Sequence, residues 1–204
     1  MKKEVWMVTV LVLVATISAG VLGFINVTTR PIIKENEARK LRESVLSSVN
    51  VDYNSDNLEE KFKSTIETQE IDGREVFFHY GQDGELQEVA FRISGSGFQG
   101  PIQGIISLKP DLQTIVGLEF LSQQETPGLG ARITEDWFLN QFNGKVLKPK
   151  IEVVKGGSSA DNEVDAITGA TRTSKSVQGI INNGVEKMKN EVLTDQAMEG
   201  LGNE

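Results

Sequence analysis

The chain has 204 residues and a formal net charge of -8 at pH 7. This length suits one membrane anchor plus one domain of ordinary size. The acidic balance argues against nucleic acid as a partner, because phosphate binding needs clustered lysine and arginine. The absence of cysteine excludes disulfides, cysteine-ligated iron–sulfur clusters, thiol catalysis and a lipidated cysteine anchor. Any redox chemistry must therefore come from a bound organic cofactor.

The only histidine, His79, lies in the apolar stretch from Val76 to Tyr80. A lone histidine in such a stretch is most often a packed or edge residue of a strand. One histidine without cysteine is also a poor donor set for a transition metal. We therefore expect neither a protein-only metal site nor a catalytic residue in this chain.

The N-terminal segment from Val5 to Val27 contains no charged residue. A helix of this length extends roughly 35 Å, which is enough to cross a hydrocarbon core of about 30 Å. Trp6 stands at one end, where an interfacial aromatic residue would lie. A cleaved signal peptide is the alternative, but its apolar region normally covers only about 7–15 residues. We predict a short tail and an uncleaved transmembrane helix over residues 1–28.

Positive charges flank this span almost equally: Lys2 and Lys3 precede it, and Arg30 and Lys34 follow it. The positive-inside rule is therefore nearly balanced. A short lysine-bearing N-terminal tail commonly stays in the cytoplasm and sends the following domain out. We expect a single-pass protein of the cell (inner) membrane, in contact with the lipid bilayer, whose domain lies on the extracytoplasmic side.

A membrane-proximal helix and a linker are predicted over residues 29–70. Pro31 lies near the expected start of this helix, where its missing N–H is harmless. Apolar residues recur at helical spacing from Ala38 to Val45, and the pattern ends at about Val49. The polar stretch from Asn50 to Glu60 indicates a loop.

Residues 71–193 are predicted to form the folded domain, with a C-terminal tail over residues 194–204. Runs of apolar and β-branched residues bounded by turn-forming residues indicate strands, the first four of which pair as two hairpins. The predicted strands are Glu75–Tyr80, Leu86–Ile93, Ile102–Leu108, Thr114–Phe120 and Lys150–Val154.

Two further helices complete the predicted domain. The first is a short helix over Glu135–Gln141 with Trp137, Phe138 and Phe142 turned inward, and the second is a closing helix over Ser174–Leu193. The fold class is therefore α+β, with one N-terminal transmembrane helix followed by a single antiparallel-sheet domain.

A small-residue turn that opens a helix lies within Asp165–Ser174. Gly169 and Ala170 allow the backbone to approach a ligand closely. The hydroxyls of Thr168, Thr171, Thr173 and Ser174 cluster around the start of the helix, where free N–H groups and the helix dipole favour phosphate. The alternative is that one of these hydroxyls is only an N-cap.

Two loops form the rest of the candidate site. Glu125–Ala131 contains Pro127-Gly128, a tight-turn signal that predicts a positive φ at Gly128. Gly95–Ile102 is rich in glycine but lacks the Lys-Ser/Thr ending of a P-loop. We interpret this second segment as a turn leading into a core strand, which could also line the pocket.

Asp165–Thr171 resembles the flavinylation motif D-x-x-(S/T)-G-A-T of the FMN-binding domain family. Glu125–Gly130 resembles the E-T-P-G-L-G segment of the same family. This family includes the RnfG and NqrC subunits of ion-pumping respiratory complexes. The resemblance covers the anchor and nearly all of residues 71–185, and two motifs in family order are more specific than either alone.

The resemblance implies that Thr171, the last threonine of the motif, is joined to FMN through a phosphoester. It also implies that a flavin transferase makes this bond with FAD as the donor. The other motif residues would shape the flavin pocket. The expected cofactor-binding residues are Thr171, Thr168, Gly169, Ala170, Glu125, Thr126, Gly128, Leu129 and Gly130.

Within the family, RnfG subunits are short, whereas NqrC subunits carry a larger insert between anchor and flavin domain. The length of 204 residues therefore favours RnfG. The resemblance then implies an electron carrier that works with the other subunits of an Rnf-type complex, which couples ferredoxin:NAD electron transfer to Na+ or H+ translocation. An NqrC-type subunit of a Na+-pumping NADH:quinone reductase is the alternative. An extracytoplasmic FMN-domain sensor or binding module, or a structural domain without flavin, also stays open.

Overall fold

The computed structural model of the chain describes residues 2–81 and 83–191. The predicted tail over residues 194–204, and the last two residues of the predicted closing helix, lie outside the described residues. The chain divides into an N-terminal unit that ends at Lys40 and a second unit that begins at Leu41.

The first helix, α1 (Lys2–Ser48), is unbroken, so the predicted span and the predicted membrane-proximal helix are one element. Pro31 lies inside this helix, and the prediction that it lies near a helix start is wrong. An interior proline removes one hydrogen bond at a local cost of about 3 kcal/mol. A helix of 47 residues retains its other bonds. Its apolar part has a mean hydropathy of 2.5 over 18 residues, and among the described residues it is the one helix long and apolar enough to span a membrane.

The second unit contains a five-stranded antiparallel sheet in which each strand pairs with the next along the chain. This arrangement confirms the predicted α+β class with an antiparallel sheet after an apolar N-terminal helix. The strands are β1 (Ile66–Ile71), β2 (Arg74–Tyr80), β3 (Leu86–Ser96), β4 (Pro101–Leu108) and β5 (Ile115–Ser122).

One helix and the first strand of this unit had no sequence signal. Helix α2 (Leu58–Thr65) begins within the stretch predicted as a loop, and β1 follows it directly. An eight-residue helix is too short to be stable by itself, so packing must decide its formation. Leu58 is buried in the core, and the Phe62 ring meets the Phe77 ring edge-on at 6.2 Å.

Both faces of the sheet are covered, because neighbouring strand residues point to opposite faces. Phe77 packs with Val45 and Leu46 at the C-terminal end of α1. Val76 and Phe78 belong to the larger core on the opposite face. The Ser107 hydroxyl also donates a hydrogen bond to the carbonyl of Ser48, which fixes the end of α1 to the sheet.

The segment after β5 is irregular, with 3-10 turns at Gly130–Thr134 and Asn140–Phe142 flanking the short helix α3 (Asp136–Leu139). Phe138 and Phe142 are fully buried, as predicted. The prediction that Trp137 points inward is wrong, because its side chain is 43% exposed. Its indole N–H donates to the Glu135 carboxylate, and the Arg132 guanidinium lies 5.2 Å from its ring, so this tryptophan is held at the surface.

A two-stranded parallel sheet, β6 (Glu152–Val154) and β7 (Glu163–Asp165), precedes the last helix, α4 (Thr171–Glu191). Helix α4 begins three residues before the predicted start at Ser174. Its apolar face, from Val177 to Met188, is buried in the larger core. The earlier start places Thr171 in the first helical turn.

His79 lies in β2, and its Nδ1 atom forms a hydrogen bond with the Glu88 carboxylate across the β2–β3 pair. The residue is therefore engaged within the sheet. Among residues 2–81 and 83–191, no group of three or more His, Asp or Glu side chains is arranged to hold a metal ion.

Candidate functional site

A cavity of about 300 Å³ opens where three segments meet: the β3–β4 turn, the loop after β5 and the first turn of α4. Its volume lies at the lower end of the range of small-molecule sites, about 300–1,000 Å³. The lining residues are Phe98, Glu125, Thr126, Leu129, Gly130, Gly169, Ala170, Thr171, Arg172 and Thr173.

Two tight turns with the same hydrogen-bond pattern and a glycine at the same position form one side of this cavity. In the first, the Leu129 N–H donates to the Thr126 carbonyl at 3.1 Å, and Gly128 has φ +73°. This confirms the predicted positive φ, which only glycine adopts without strain. In the second, the Ala170 N–H donates to the Ile167 carbonyl at 2.9 Å, and Gly169 has φ +82°.

The two turns touch each other. A Cβ atom added to Gly169 would lie 3.3 Å from Cδ2 of Leu129, so the side chain of one turn rests against the glycine of the other. A side chain at position 169 would require the Leu129 side chain to shift by a few tenths of an ångström, and the φ of +82° there already favours glycine.

Glu125 connects the three segments around the cavity. Its side chain is only 5% exposed. Oε1 accepts the N–H of Gln99 in the β3–β4 turn at 3.0 Å, and Oε2 accepts the hydroxyl of Thr173 in α4 at 2.7 Å. Hydrogen bonds to a carboxylate are stronger than those between neutral groups. This one carboxylate therefore holds the walls of the cavity together.

Glycines surround the Glu125 carboxylate because there is no room for a side chain. A Cβ on Gly130 would lie 2.6 Å from Oγ1 of Thr173 and 2.8 Å from Oε2 of Glu125. A Cβ on Gly97 would collide with Oε1 of the same carboxylate. The glycines on either side of the cavity thus serve close packing against Glu125.

The hydroxyl groups near the start of α4 have different environments. Ser174 is fully buried, and its Oγ accepts the Ile167 N–H at 3.0 Å and donates to the Ala170 carbonyl at 3.1 Å. Thr173 is buried and bonded to Glu125. Thr171 is half-buried and lines the cavity, and among the described residues its hydroxyl has no hydrogen-bond partner.

Positive charge lies next to Thr171. The Arg172 guanidinium stacks over the Phe98 ring at 4.9 Å, as in a cation–π contact. A second, more open cavity of about 430 Å³ shares Phe98, Thr171 and Arg172 with the first and adds Lys175. Two cationic side chains and the N-terminus of α4 make this side of Thr171 favourable for phosphate.

The structure brings seven of the nine expected cofactor-binding residues into one cavity lining. Thr168 and Gly128 are exposed at the corners of their turns and are not part of that lining. Phe98, Arg172 and Thr173 line the cavity but were not among the expected residues. Phe98 lies in the glycine-rich segment already considered as a pocket wall, and the Thr173 hydroxyl belongs to the cluster at the helix start, whereas nothing in the local sequence marks Arg172. The roles of all these residues in cofactor binding stay predictions.

The apolar and polar parts of this cavity fit FMN. Phe98 and Leu129 are large apolar side chains that remain exposed in the domain, and both lie on the cavity. They would cover an aromatic ring system, and the free hydroxyl of Thr171 with its cationic neighbours would receive a phosphate. The site thus combines an apolar surface with a few convergent polar groups, as small-molecule sites do.

Residues 97–186 match the FMN-binding domain family, and the chain belongs to that family. The NqrC subunit of the Na(+)-translocating NADH-quinone reductase of Neisseria meningitidis serogroup A is 38% identical over 111 residues, which cover 52% of this chain and 43% of that protein. The RnfG-type subunit of the Na(+)-translocating ferredoxin:NAD(+) oxidoreductase complex of Acetobacterium woodii is 38% identical over 96 residues, which cover 47% of this chain and 45% of that protein. The matches span less than half the length of these curated relatives.

Two solved structures have the same fold. The structure of the NqrC subunit of the Na(+)-translocating NADH-quinone reductase from Parabacteroides distasonis has a TM-score of 0.66 and 31% identity, and it covers 78% of this chain and 94% of that one. Shewanella oneidensis NqrC has a TM-score of 0.71 and 21% identity, with 83% of this chain and 100% of that one covered. The second similarity bears on the fold alone.

Proposed function

We propose that this chain is a membrane-anchored electron carrier with one FMN joined covalently to Thr171, and that it is the RnfG subunit of an Rnf-type complex. The observation that carries the proposal is the position of the Thr171 hydroxyl. It is the hydroxyl of the motif region that both lines the cavity and lacks a partner among the described residues. Thr173 and Ser174 are buried and bonded to neighbouring groups, and Thr168 lies outside the lining.

The proposed attachment follows from the chemistry of a threonine hydroxyl and a flavin dinucleotide. The Thr171 oxygen forms a bond to the phosphorus of the FMN half of FAD, the phosphoanhydride bond breaks, AMP leaves and the hydroxyl proton is released. A flavin transferase would catalyse this step. Arg172 and Lys175 would offset the negative charge of the phosphoester that remains.

FMN would supply the redox chemistry that the side chains of this chain lack. Phe98 and Leu129 would cover part of its ring system and exclude water from it. The turns centred on Gly128 and Gly169 would fix the position of Leu129 against the start of α4. Because the tether is a single phosphoester, these walls would determine the orientation of the ring.

An Rnf-type complex is favoured over an Nqr-type complex by the short segment between the apolar span, which ends at Val27, and the family match, which begins at residue 97. In that assignment the chain would work with the other membrane subunits of a complex that couples ferredoxin:NAD electron transfer to Na+ or H+ translocation. Helix α1 would cross the cell (inner) membrane once and hold the flavin domain on the extracytoplasmic side. The Nqr-type assignment is the second candidate, because NqrC proteins share both sequence and fold with this chain.

Peptide mass mapping of the full chain from its native host tests the attachment. We expect one FMN on the peptide that carries Thr171, none in Thr171→Ala, and an unchanged load in Thr68→Ala, which alters an exposed threonine in β1. Expression in a host without a flavin transferase should yield the unmodified chain. FMN found on Thr173 or Ser174 would contradict the assignment.

Membrane assays decide between the two complexes. Membranes from a deletion strain should lose ferredoxin-dependent NAD reduction and recover it when the wild-type chain is restored. Co-purified proteins from mildly solubilised membranes should include the other Rnf-type subunits. Loss of NADH-dependent quinone reduction instead would assign the chain to an Nqr-type complex.

A further inference from the structure

Glu125 lies on the flavin cavity, but its carboxylate oxygens already have partners in the protein. Oε1 accepts the Gln99 N–H and Oε2 accepts the Thr173 hydroxyl. A residue with this geometry is poorly arranged to bind a ligand through its oxygens. It holds the surrounding segments and places a charge at a fixed position.

The partners of this carboxylate are neutral. One is a backbone amide and the other is a hydroxyl, and in the part of the chain that the structure describes no lysine or arginine forms an ion pair with Glu125. The nearby guanidinium of Arg172 lies over Phe98 instead. Both hydrogen-bond partners of the Glu125 carboxylate among the described residues are thus neutral, and neither carries a positive charge that could cancel the charge of a carboxylate.

We propose that Glu125 is a positioning residue that also lowers the reduction potential of the flavin through its fixed negative charge. This inference rests on the proposed function, because it needs FMN on Thr171. Reduction adds negative charge to the flavin, and a carboxylate at the cavity wall opposes that addition. The effect is stronger in a site partly shielded from water than in bulk solvent.

The same geometry assigns Thr173 a distinct effect on the potential. Its hydroxyl donates to Oε2, and the positive end of this O–H dipole offsets part of the field that the carboxylate exerts on the cavity. Removing the hydroxyl should expose more of that field. Thr173 and Glu125 substitutions should therefore shift the potential in opposite directions.

The test uses the full FMN-loaded chain in detergent and measures the midpoint potential by spectroscopic titration. Glu125→Gln should shift the potential to more positive values, and Glu125→Asp, which keeps the charge, should lie closer to wild type. Thr173→Val should shift the midpoint potential to more negative values. Thr173→Ser, which keeps the hydroxyl, should have a midpoint potential close to that of wild type. Glu152→Gln makes the same chemical change on an exposed side chain away from the cavity and should leave the potential unchanged.

Flavin load by mass and thermal unfolding are measured on every variant. A Glu125→Gln potential equal to that of Glu152→Gln, at a full flavin load, would overturn the inference. If Glu125→Gln does not fold, Thr173→Val provides the test. A midpoint potential of Thr173→Val that equals the wild-type value, or is more positive, would overturn the inference that the Glu125 charge lowers the potential. A wild-type chain without FMN on Thr171 would contradict both the proposed function and this inference. An FMN-loaded chain whose midpoint potential does not change when Glu125 is replaced would contradict the inference alone.

Discussion

The Thr173 hydroxyl donates a 2.7 Å hydrogen bond to Oε2 of Glu125 across a sequence separation of 48 residues. This contact joins the loop after β5 to the first turn of α4. Both side chains are buried, with exposures of 2% and 5%. The loop that carries Glu125 is thus joined by a hydrogen bond to the helix that follows the Asp165–Thr171 motif, in addition to the cavity that the two segments share.

Replacing Gly130 by alanine should disturb this contact. The added Cβ would meet Oγ1 of Thr173 at 2.6 Å and Oε2 of Glu125 at 2.8 Å, so one of them must move. We expect a destabilisation of about 1–3 kcal/mol, typical of overpacking in a well-packed site, together with a lower flavin load. Chemical denaturation and mass analysis measure the two effects.

Gly179→Ala is the matched control for Gly130→Ala. Gly179 lies inside α4, and a Cβ there meets nothing within 4 Å. Alanine has the higher helix propensity, so this variant should gain about 0.5–1 kcal/mol of stability. Equal stabilities of the two variants would show that Gly130 is not constrained by Thr173 and Glu125.

Gly128→Val should affect the flavin before it affects folding. Gly128 has φ +73°, where a β-branched residue is strained by about 1–3 kcal/mol. Its Cβ direction is open, so the strain is conformational and not steric. The turn should change shape and move Leu129 away from Gly169. Flavin load and midpoint potential should change while most of the thermal stability remains.

Gly128→Asn is the control for this turn, because asparagine tolerates a positive φ better than valine. It should resemble wild type in flavin load and in midpoint potential. If Gly128→Val unfolds as readily as the core variant Phe138→Ala, the loop has a structural role in the domain. If Gly128→Val matches wild type in flavin load, midpoint potential and thermal stability, the turn does not contribute to the flavin site.

Glu119 on β5 should make stability depend on pH. Burial raises the pKa of its carboxyl, and the negative charge of Asp136 raises it further. Because the folded protein holds this proton more tightly than the unfolded chain, ionisation costs stability as the pH rises above the ordinary glutamate pKa of 4.5. Glu119→Gln should therefore be more stable than wild type at neutral pH, and the difference should vanish below that pKa.

Denaturant unfolding at several pH values measures this effect. Glu152→Gln serves as the exposed control and should show the pH dependence of the wild type. Equal stability of Glu119→Gln and wild type at neutral pH would mean that the Glu119 carboxyl is not destabilised by its burial.

The mature protein should retain α1 and present the flavin domain outside the cytoplasm. The reasons are the length of the apolar span and the short tail with Lys2 and Lys3. N-terminal sequencing tests retention, and a mature start at Val21 would identify a cleaved signal peptide. Protease treatment of intact cells, or of spheroplasts, tests the orientation. A fully protected domain would reverse it.

The sequence by itself determined the features that depend on neighbouring residues. The uncharged stretch after Val5 defines an apolar helix because its length and composition are local properties. Runs of apolar residues bounded by turn-forming residues between Glu75 and Phe120 define the central strands. Pro127-Gly128 defines a turn with positive φ, because proline restricts one position and glycine permits the next.

Only the tertiary structure decided the features that depend on distant residues. Helix α2 forms where Leu58 and Phe62 meet the sheet, since eight residues cannot sustain a helix without such packing. Helix α1 continues through Pro31, although the local sequence predicts a helix start there. Trp137 is exposed, although the local sequence predicts that it points inward. The site shows the same division. Motifs mark Thr171 and Glu125, but the hydrogen bond between Thr173 and Glu125 exists only because folding brings the loop after β5 next to the start of α4.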